Sequence, residues 1–241
     1  MCPLSAPTQA ADPTVLVDRL VRIHAELEAY RDGGRRLFAT SSFQTNSLVL
    51  LHVLSRFAPS TPVVFLNTGY HFPETLAFRK RIEKMLGINV LDLYSPVSRY
   101  QQRDGMGRLL FTSDPDRCCH LNKVLPLDPV IAEHDVWISG VRAGQSAHRA
   151  SMGRTAQGRR GIERFHPILD WTSREVYLYL QAHALPMHPL ESEGYPSIGC
   201  APCTRRFVDQ PDLGGVLDDE RAGRWAGMSK TECGLHLDGA S

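Results

Sequence analysis

Six cysteines stand at positions 2, 118, 119, 200, 203 and 233. Cys2 aside, they form two tight pairs and one single. Cys118-Cys119 and Cys200-Ala201-Pro202-Cys203 supply four thiols, and four thiolates hold either a zinc ion or an iron–sulfur cluster. Adjacent cysteines suit one tetrahedral zinc poorly, because their side chains diverge. A cubane is larger, and its irons accept ligands from neighbouring residues. The spacing therefore predicts a 4Fe–4S cluster, the plain alternative being two unrelated buried thiol pairs.

The single cysteine lies in Glu232-Cys233-Gly234-Leu235-His236. A lone thiol on a glycine-flanked tail is badly placed for core packing and well placed to swing into a site and out to a partner. The thiolate is the reactive form, and nearby cations lower its pKa. Arg221, Arg224, Lys230 and His236 are the local candidates, against the alternative of an incidental exposed thiol.

These residues need a scaffold, and the pattern along the chain supplies one. Asp12-Pro13 starts a helix. Leu16, Leu20, Ile23 and Leu27 continue it at helical spacing to Gly33-Gly34. A strand over 36–40 leads through the polar loop Ser41–Ser47 into an apolar helix over 48–57. Further strands are expected at 62–67, 88–93 and 136–139, with an amphipathic helix over 73–86. Another helix starts behind Thr172 or Ser173. Alternating strands and helices predict a mostly parallel sheet with helices on both faces. Ligands of such sheets sit beyond the carboxyl ends of the strands, where the loops 41–47, 67–71 and 140–146 fall. The stretch from Gly144 to Gly161, with Arg149, Arg154, Arg159 and Arg160, reads as a mobile basic loop. Residues 209–228 read as a flexible tail.

The 241 residues suffice for one α/β domain plus a functional tail, and the net charge of +1 argues against nucleic acid or an anionic membrane as partner. No apolar run is long enough to span a bilayer. Met1 to Asp12 lacks the regions of a secretion signal, so the expected setting is the cytoplasm, where thiols stay reduced. The expected division is a leader over 1–12, a nucleotide- and cluster-binding domain over 13–208, and a mobile catalytic tail over 209–241 carrying Cys233.

Several motifs together carry a family resemblance. Cys118-Cys119 with Lys123, Gly199-Cys200-x-x-Cys203-Thr204-Arg205 and the Glu232–His236 motif resemble the assimilatory adenylyl-sulfate and phosphoadenylyl-sulfate reductases. So do Thr68-Gly69-Tyr70-His71-Phe72-Pro73-Glu74-Thr75 and Glu193-Gly194-Tyr195. The two thiol pairs resemble the iron–sulfur branch, which acts on adenylyl sulfate. The resemblance implies an adenine-nucleotide alpha-hydrolase-like fold. It also implies thioredoxin- or glutaredoxin-dependent reduction of adenylyl sulfate to sulfite and AMP, in sulfate assimilation toward cysteine biosynthesis. Cys233 would attack the sulfo group and become an S-sulfocysteine, while Cys118, Cys119, Cys200 and Cys203 ligate the cluster. Ser41, Ser42 and Phe43 match the phosphate-binding loop. Asn67, Thr68 and Gly69 match the segment beside the adenosine. Lys123, Arg142, Arg221, Arg224 and His236 match the basic residues around the phosphosulfate. The chain departs from the family at Gln44, where Gly is common, and at Thr45-Asn46, where an acidic residue is missing. It departs again at Asn67 for Asp, Asn122 for Arg, and Gly144 for an acidic residue.

The nearest alternative is the same chemistry on 3′-phosphoadenylyl sulfate. An adenylating sulfurtransferase would be expected to show a Ser-Gly-Gly-x-Asp-Ser loop, which this sequence lacks, and a more basic surface. An iron–sulfur redox sensor would not need the Cys233 motif. The sequence leaves room for a homo-oligomer.

Overall fold

The computed structural model describes residues 13–207, together with 221, 223–225, 228, 230 and 232–236. The expected leader over 1–12 lies outside the described residues, as does much of the expected tail.

Helix α1 (Pro13–Asp32) begins at its proline and is followed by Gly34 in the left-handed region. Strand β1 (Leu37–Thr40), helix α2 (Ser47–Phe57), strand β2 (Val63–Leu66), helix α3 (Pro73–Leu86) and strand β3 (Val90–Leu93) then alternate. Three helical segments follow: α4 (Leu110–Ser113), α5 (Pro115–Cys119) and α6 (Leu125–Glu133), with a π-helical turn, His120–Val124, between the last two. Strand β4 (Val136–Ser139), helix α7 (Ala147–Ala150), strands β5 (Thr155–Gln157) and β6 (Glu163–Phe165) and helix α8 (Ser173–Ala182) complete the main elements.

The six strands among the described residues form one sheet in the order β3-β2-β1-β4-β6-β5. All neighbours run parallel except β5 and β6. Every residue of β2 and β4 is buried, as expected of strands covered on both faces. One face packs Ile23, Leu27, Leu50, Val53, Trp171 and Tyr179, from α1, α2 and α8 and the approach to α8. The other packs Phe38, Val64 and Trp137 against Leu127 and Ile131 of α6.

The expectation of a mobile loop from Gly144 to Gly161 is corrected here. This stretch forms α7 and β5, and β5 pairs with β6. The strands are three residues long, and the middle of β6 is Arg164, too polar to read as a buried strand. Arg164 is buried because its guanidinium lies over the Trp137 ring, 4.6 Å from the centroid, a cation–π contact that offsets desolvation.

The chain runs from β1 outward through β2 to β3, then returns to place β4 on the opposite side of β1. The order therefore reverses between β1 and β4, and their carboxyl ends, Thr40 and Ser139, open a crevice.

Candidate active site

A cleft of about 180 Å³ occupies that crevice, with Thr40, Ser41, Ser42 and Gln44 on one side and Ser139, Gly140 and Gln145 on the other. The loop between β1 and α2 turns on Phe43. This residue takes a left-handed backbone (φ 55°), a strained choice for a non-glycine. Its ring is buried edge-on against Phe65, 5.7 Å between centroids, and its N–H donates to Ser41 Oγ at 3.1 Å. Phe43 thus builds the loop from beneath. Asn46, before α2, makes no side-chain cap; the first amides of the helix turn back onto the loop instead, Ser47 N–H donating to Gln44 O at 2.8 Å and Leu48 N–H to Thr45 O at 3.0 Å, which holds the Ser42 and Ser47 hydroxyls at the cleft. Gln44 spans the crevice: its amide donates to Ser42 Oγ at 3.1 Å and accepts from the Ile198 N–H at 3.0 Å.

The four paired cysteines gather next to this cleft. Asp114 caps α5, accepting from Arg117 N at 2.9 Å, and Pro115 occupies its first turn. Cys118 and Cys119 therefore end a short, well-defined helical turn. Cys200 and Cys203 flank a 3-10 turn docked on the loop after β2, where Ala201 N–H donates to Tyr70 O at 2.7 Å. All four thiols are free and buried. They line one cavity with Thr68, Tyr70, Phe111, Asn122, Lys123, Arg224 and Trp225. Thr68 Oγ1 lies 3.3 Å from Cys200 Sγ, and Asn122 Nδ2 lies 3.6 Å from Cys118 Sγ. Burial, then the charge of Cys119, Cys200 and Cys203, pushes the Cys118 thiol up to about 12.

The described part of the C-terminal segment closes over both spaces. Trp225 packs on Cys200 and Cys203 and carries Arg224 and Arg221 over its ring at 4.6 and 5.1 Å. Lys230 pairs with Asp116. Cys233 Sγ lies 3.9 Å from Lys123 Nζ. Burial alone would raise the Cys233 thiol. Lys123 above all, then the Leu235 N–H and Arg224, outweigh it and bring the pKa below the ordinary cysteine value. Burial pulls Lys123 down, but Cys233, Cys200 and Cys119 raise it further, so the ammonium stays charged. Lys123 and Arg224 line both the cleft and the thiol cavity. A single cationic wall thus serves a nucleophilic sulfur on one side and four thiols on the other.

Residues 36–206 match the phosphoadenosine phosphosulfate reductase domain. The chain belongs to the phosphoadenosine phosphosulfate reductase family. Among its relatives is the adenosine 5′-phosphosulfate reductase of Streptomyces coelicolor, 41% identical over 204 residues, covering 84% of this chain and 83% of the relative. Another is the phosphoadenosine 5′-phosphosulfate reductase of Gloeobacter violaceus, 37% identical over 241 residues, covering 95% and 97%. The fold is shared with the phosphoadenylyl-sulfate (PAPS) reductase of Candida auris, solved as a phosphate complex. There the TM-score is 0.60 at 20% identity, over 81% of this chain and 98% of that one.

Of the residues that the family motifs single out, Ser41, Ser42, Lys123, Arg221, Arg224 and Cys233 line the one cleft. Others lie elsewhere. Phe43 is core. Asn67 bonds Tyr94 OH at 3.2 Å and turns back to the Gly69 N–H. Thr68 faces the thiol cavity, and Gly69 O accepts from Arg99 at 2.8 Å. Arg142 is buried, its guanidinium directed to Trp171 O at 3.3 Å and Ser173 Oγ at 3.4 Å; it is not among the residues lining the cleft. His236 ends a 3-10 turn, Gly234–His236, and its side chain lies outside what is described.

The sequence reading named Gln44, His71, Arg149 and Glu232 without placing them in the site, and passed over Gln145 and Ser197; all but Glu232 line the cleft, and Glu232 is buried beside the nucleophile. The available signals were Gln145-Ser146 with Arg149 one helical turn on, and the acidic residue fixed directly before Cys233.

Proposed function

We propose that this chain reduces adenylyl sulfate to sulfite and AMP through Cys233, in sulfate assimilation. The observation that carries the reading is the Cys233 sulfur, 3.9 Å from the Lys123 ammonium, at a cleft floored by a serine loop and a helix N-terminus. The Cys233 thiolate attacks the sulfo sulfur. A sulfur–sulfur bond forms, the bond from that sulfur to the phosphate oxygen breaks, and its electron pair leaves with AMP. Lys123, Arg221 and Arg224 offset the repulsion between thiolate and phosphosulfate and stabilise the departing phosphate. A dithiol partner then attacks Cys233 Sγ and expels sulfite. Its second thiol resolves the mixed disulfide, so two electrons come from the partner, which is oxidised to a disulfide. Thioredoxin, or a glutaredoxin, fits that role.

Cys118, Cys119, Cys200 and Cys203 would hold a 4Fe–4S cluster. Four free, buried thiols on one cavity fit it in number and kind. Adjacent Cys118 and Cys119, whose side chains diverge, suit the larger cluster better than one tetrahedral zinc. Bound there, it would supply charge and rigidity at the wall that Lys123 and Arg224 share with the cleft. Among the described residues no helix is long and apolar enough to cross a membrane, and the cytoplasm remains the proposed setting.

The first test omits reductant. Adenylyl sulfate should release about one AMP per chain, and Cys233 should gain the mass of one SO₃ group. A Cys233→Ser protein that still releases AMP, or an adduct on another cysteine, would overturn the reading. A second reading, the 3′-phosphorylated nucleotide as substrate, is supported by the relative from Gloeobacter violaceus, named for it.

A further inference from the structure

Glu232, the residue before the nucleophile, is held by two arginines. Its Oε1 accepts from Arg221 Nη1 at 2.6 Å, from Arg149 Nη2 at 3.1 Å and from the Cys233 N–H at 2.7 Å. Its Oε2 accepts from Arg149 Nε at 3.0 Å and from Arg221 Nη1 at 2.7 Å. Burial works against this charge, but Arg149 and then Arg221 bring the carboxyl down to about 2. The two arginines differ in origin. Arg221 belongs to the same C-terminal segment as Glu232, so that pair shapes the segment internally. Arg149 belongs to α7, on the sheet side of the cleft, and its pair joins the segment to the body.

Arg149 is itself prearranged. Ser146 Oγ caps the short helix by accepting its N–H at 3.2 Å. Gln145 Oε1 accepts from Nη1 at 2.5 Å, which leaves Nε and Nη2 to fork onto the carboxylate. A further charged tie to the body, Lys230 with Asp116, ends on a carboxylate that is 74% exposed. Arg149 and Glu232 are instead 11% and 3% exposed, and buried bidentate pairs fix geometry better than exposed ones.

We propose that Gln145-Ser146-x-x-Arg149 is a docking element for the Cys233 segment, with Arg149 a positioning residue that seats the nucleophile through Glu232. This rests on Cys233 being the nucleophile. Arg149 lines the cleft, so the rival role is direct contact with the substrate anion. The two roles separate experimentally, because each guanidinium nitrogen already donates to a protein partner, two of them to Glu232, so that losing Arg149 breaks the tie to the segment whether or not it also meets the substrate.

The test uses single-turnover sulfonation of the full-length, metal-loaded protein, AMP affinity by calorimetry, and chymotryptic cleavage after Trp225. Arg149→Ala and Glu232→Gln should each slow sulfonation at saturating adenylyl sulfate by about a hundredfold, the cost of a misplaced reacting atom. AMP affinity should stay within about twofold, and cleavage after Trp225 should quicken. The double variant should be no slower than either single one, since both break the same link, and Arg149→Lys should recover part of the rate. Wild-type rates in Arg149→Ala, a loss of AMP affinity as large as the loss of rate, or additive effects would overturn the docking role. If the wild-type protein is not sulfonated at all, the proposed reaction fails, and the cleavage rates alone decide the docking role: unchanged cleavage after Trp225 overturns it.

Discussion

Arg224 reaches the wall between cleft and thiol cavity by running over the α-carbon of Gly199. A Cβ at Gly199 would lie 2.3 Å from the guanidinium, so the glycine is required by a close approach rather than by its dihedrals. Gly199→Ala should leave the sheet intact and push Arg224 off the Trp225 ring. An expected fall of about tenfold or more in kcat/KM follows from losing one aligned cation; a value within twofold of wild type, with circular dichroism unchanged, would show that Arg224 has room to spare. Residues of this kind set the limit on what the sequence made legible. The thiols were readable because few residue types can do their chemistry. The partners of Arg149 and Glu232 were not, because an arginine in a polar stretch reads as solvated until a carboxylate from 83 residues away meets it. Arg142 shows the converse: a match to a motif says nothing of the direction a side chain takes, and here the guanidinium is directed to Trp171 O and Ser173 Oγ.

Elements were legible where one local rule sufficed. Thr172 and Glu175 form a reciprocal capping box at α8: Glu175 N–H donates to Thr172 Oγ1 at 3.2 Å, and Thr172 N–H donates to Glu175 Oε2 at 2.7 Å. Glu175 also meets Arg19 Nε at 3.2 Å, tying α8 to α1. Thr172→Ala should therefore cost about 1 kcal/mol and lower the melting temperature by about 2–4 °C without altering activity, as read by thermal unfolding and turnover together. The helix break at the nucleophile's neighbour was less visible. The 3.6-residue repeat predicts continuity from Cys119 through Lys123, whereas the chain makes a π-helical turn there. The turn follows Cys118 and Cys119 directly and carries Lys123 to the cleft wall, an accommodation common at functional sites. Strands β5 and β6 were missed because three-residue strands leave no periodicity to find.

At the scale of the whole molecule, the arginines of 149–160 are already engaged. Arg149 holds Glu232. Arg154 forks onto Glu26 at 2.6 and 2.8 Å, and Arg159 and Arg160 share Asp128 at 2.7 and 3.1 Å. A 3′-phosphate that drew on any of these arginines would have to break the pair it makes. Under identical thioredoxin supply, kcat/KM should therefore favour adenylyl sulfate over its 3′-phosphorylated form, by about a hundredfold if one or two charge-assisted contacts are lost. Equal values would move the assignment to the second substrate and leave the Cys233 chemistry in place. The same pairs staple the body together: Glu26 lies on α1 and Asp128 on α6, so opposite faces of the sheet are bound to its β4–β5 side.

Among the described residues that sheet has two open margins, and both are short. β3 offers four residues and carries Asp92, whose carboxylate is held by Arg79 at 2.8 Å; β5 offers three, of which Thr155 and Gln157 are polar. An unpaired row of backbone amides invites a second chain to extend it, and brevity and charge along the row discourage that. Crowding at high concentration should therefore not stitch these sheets into fibres, and helices or loops are the favoured surfaces for a second copy to meet.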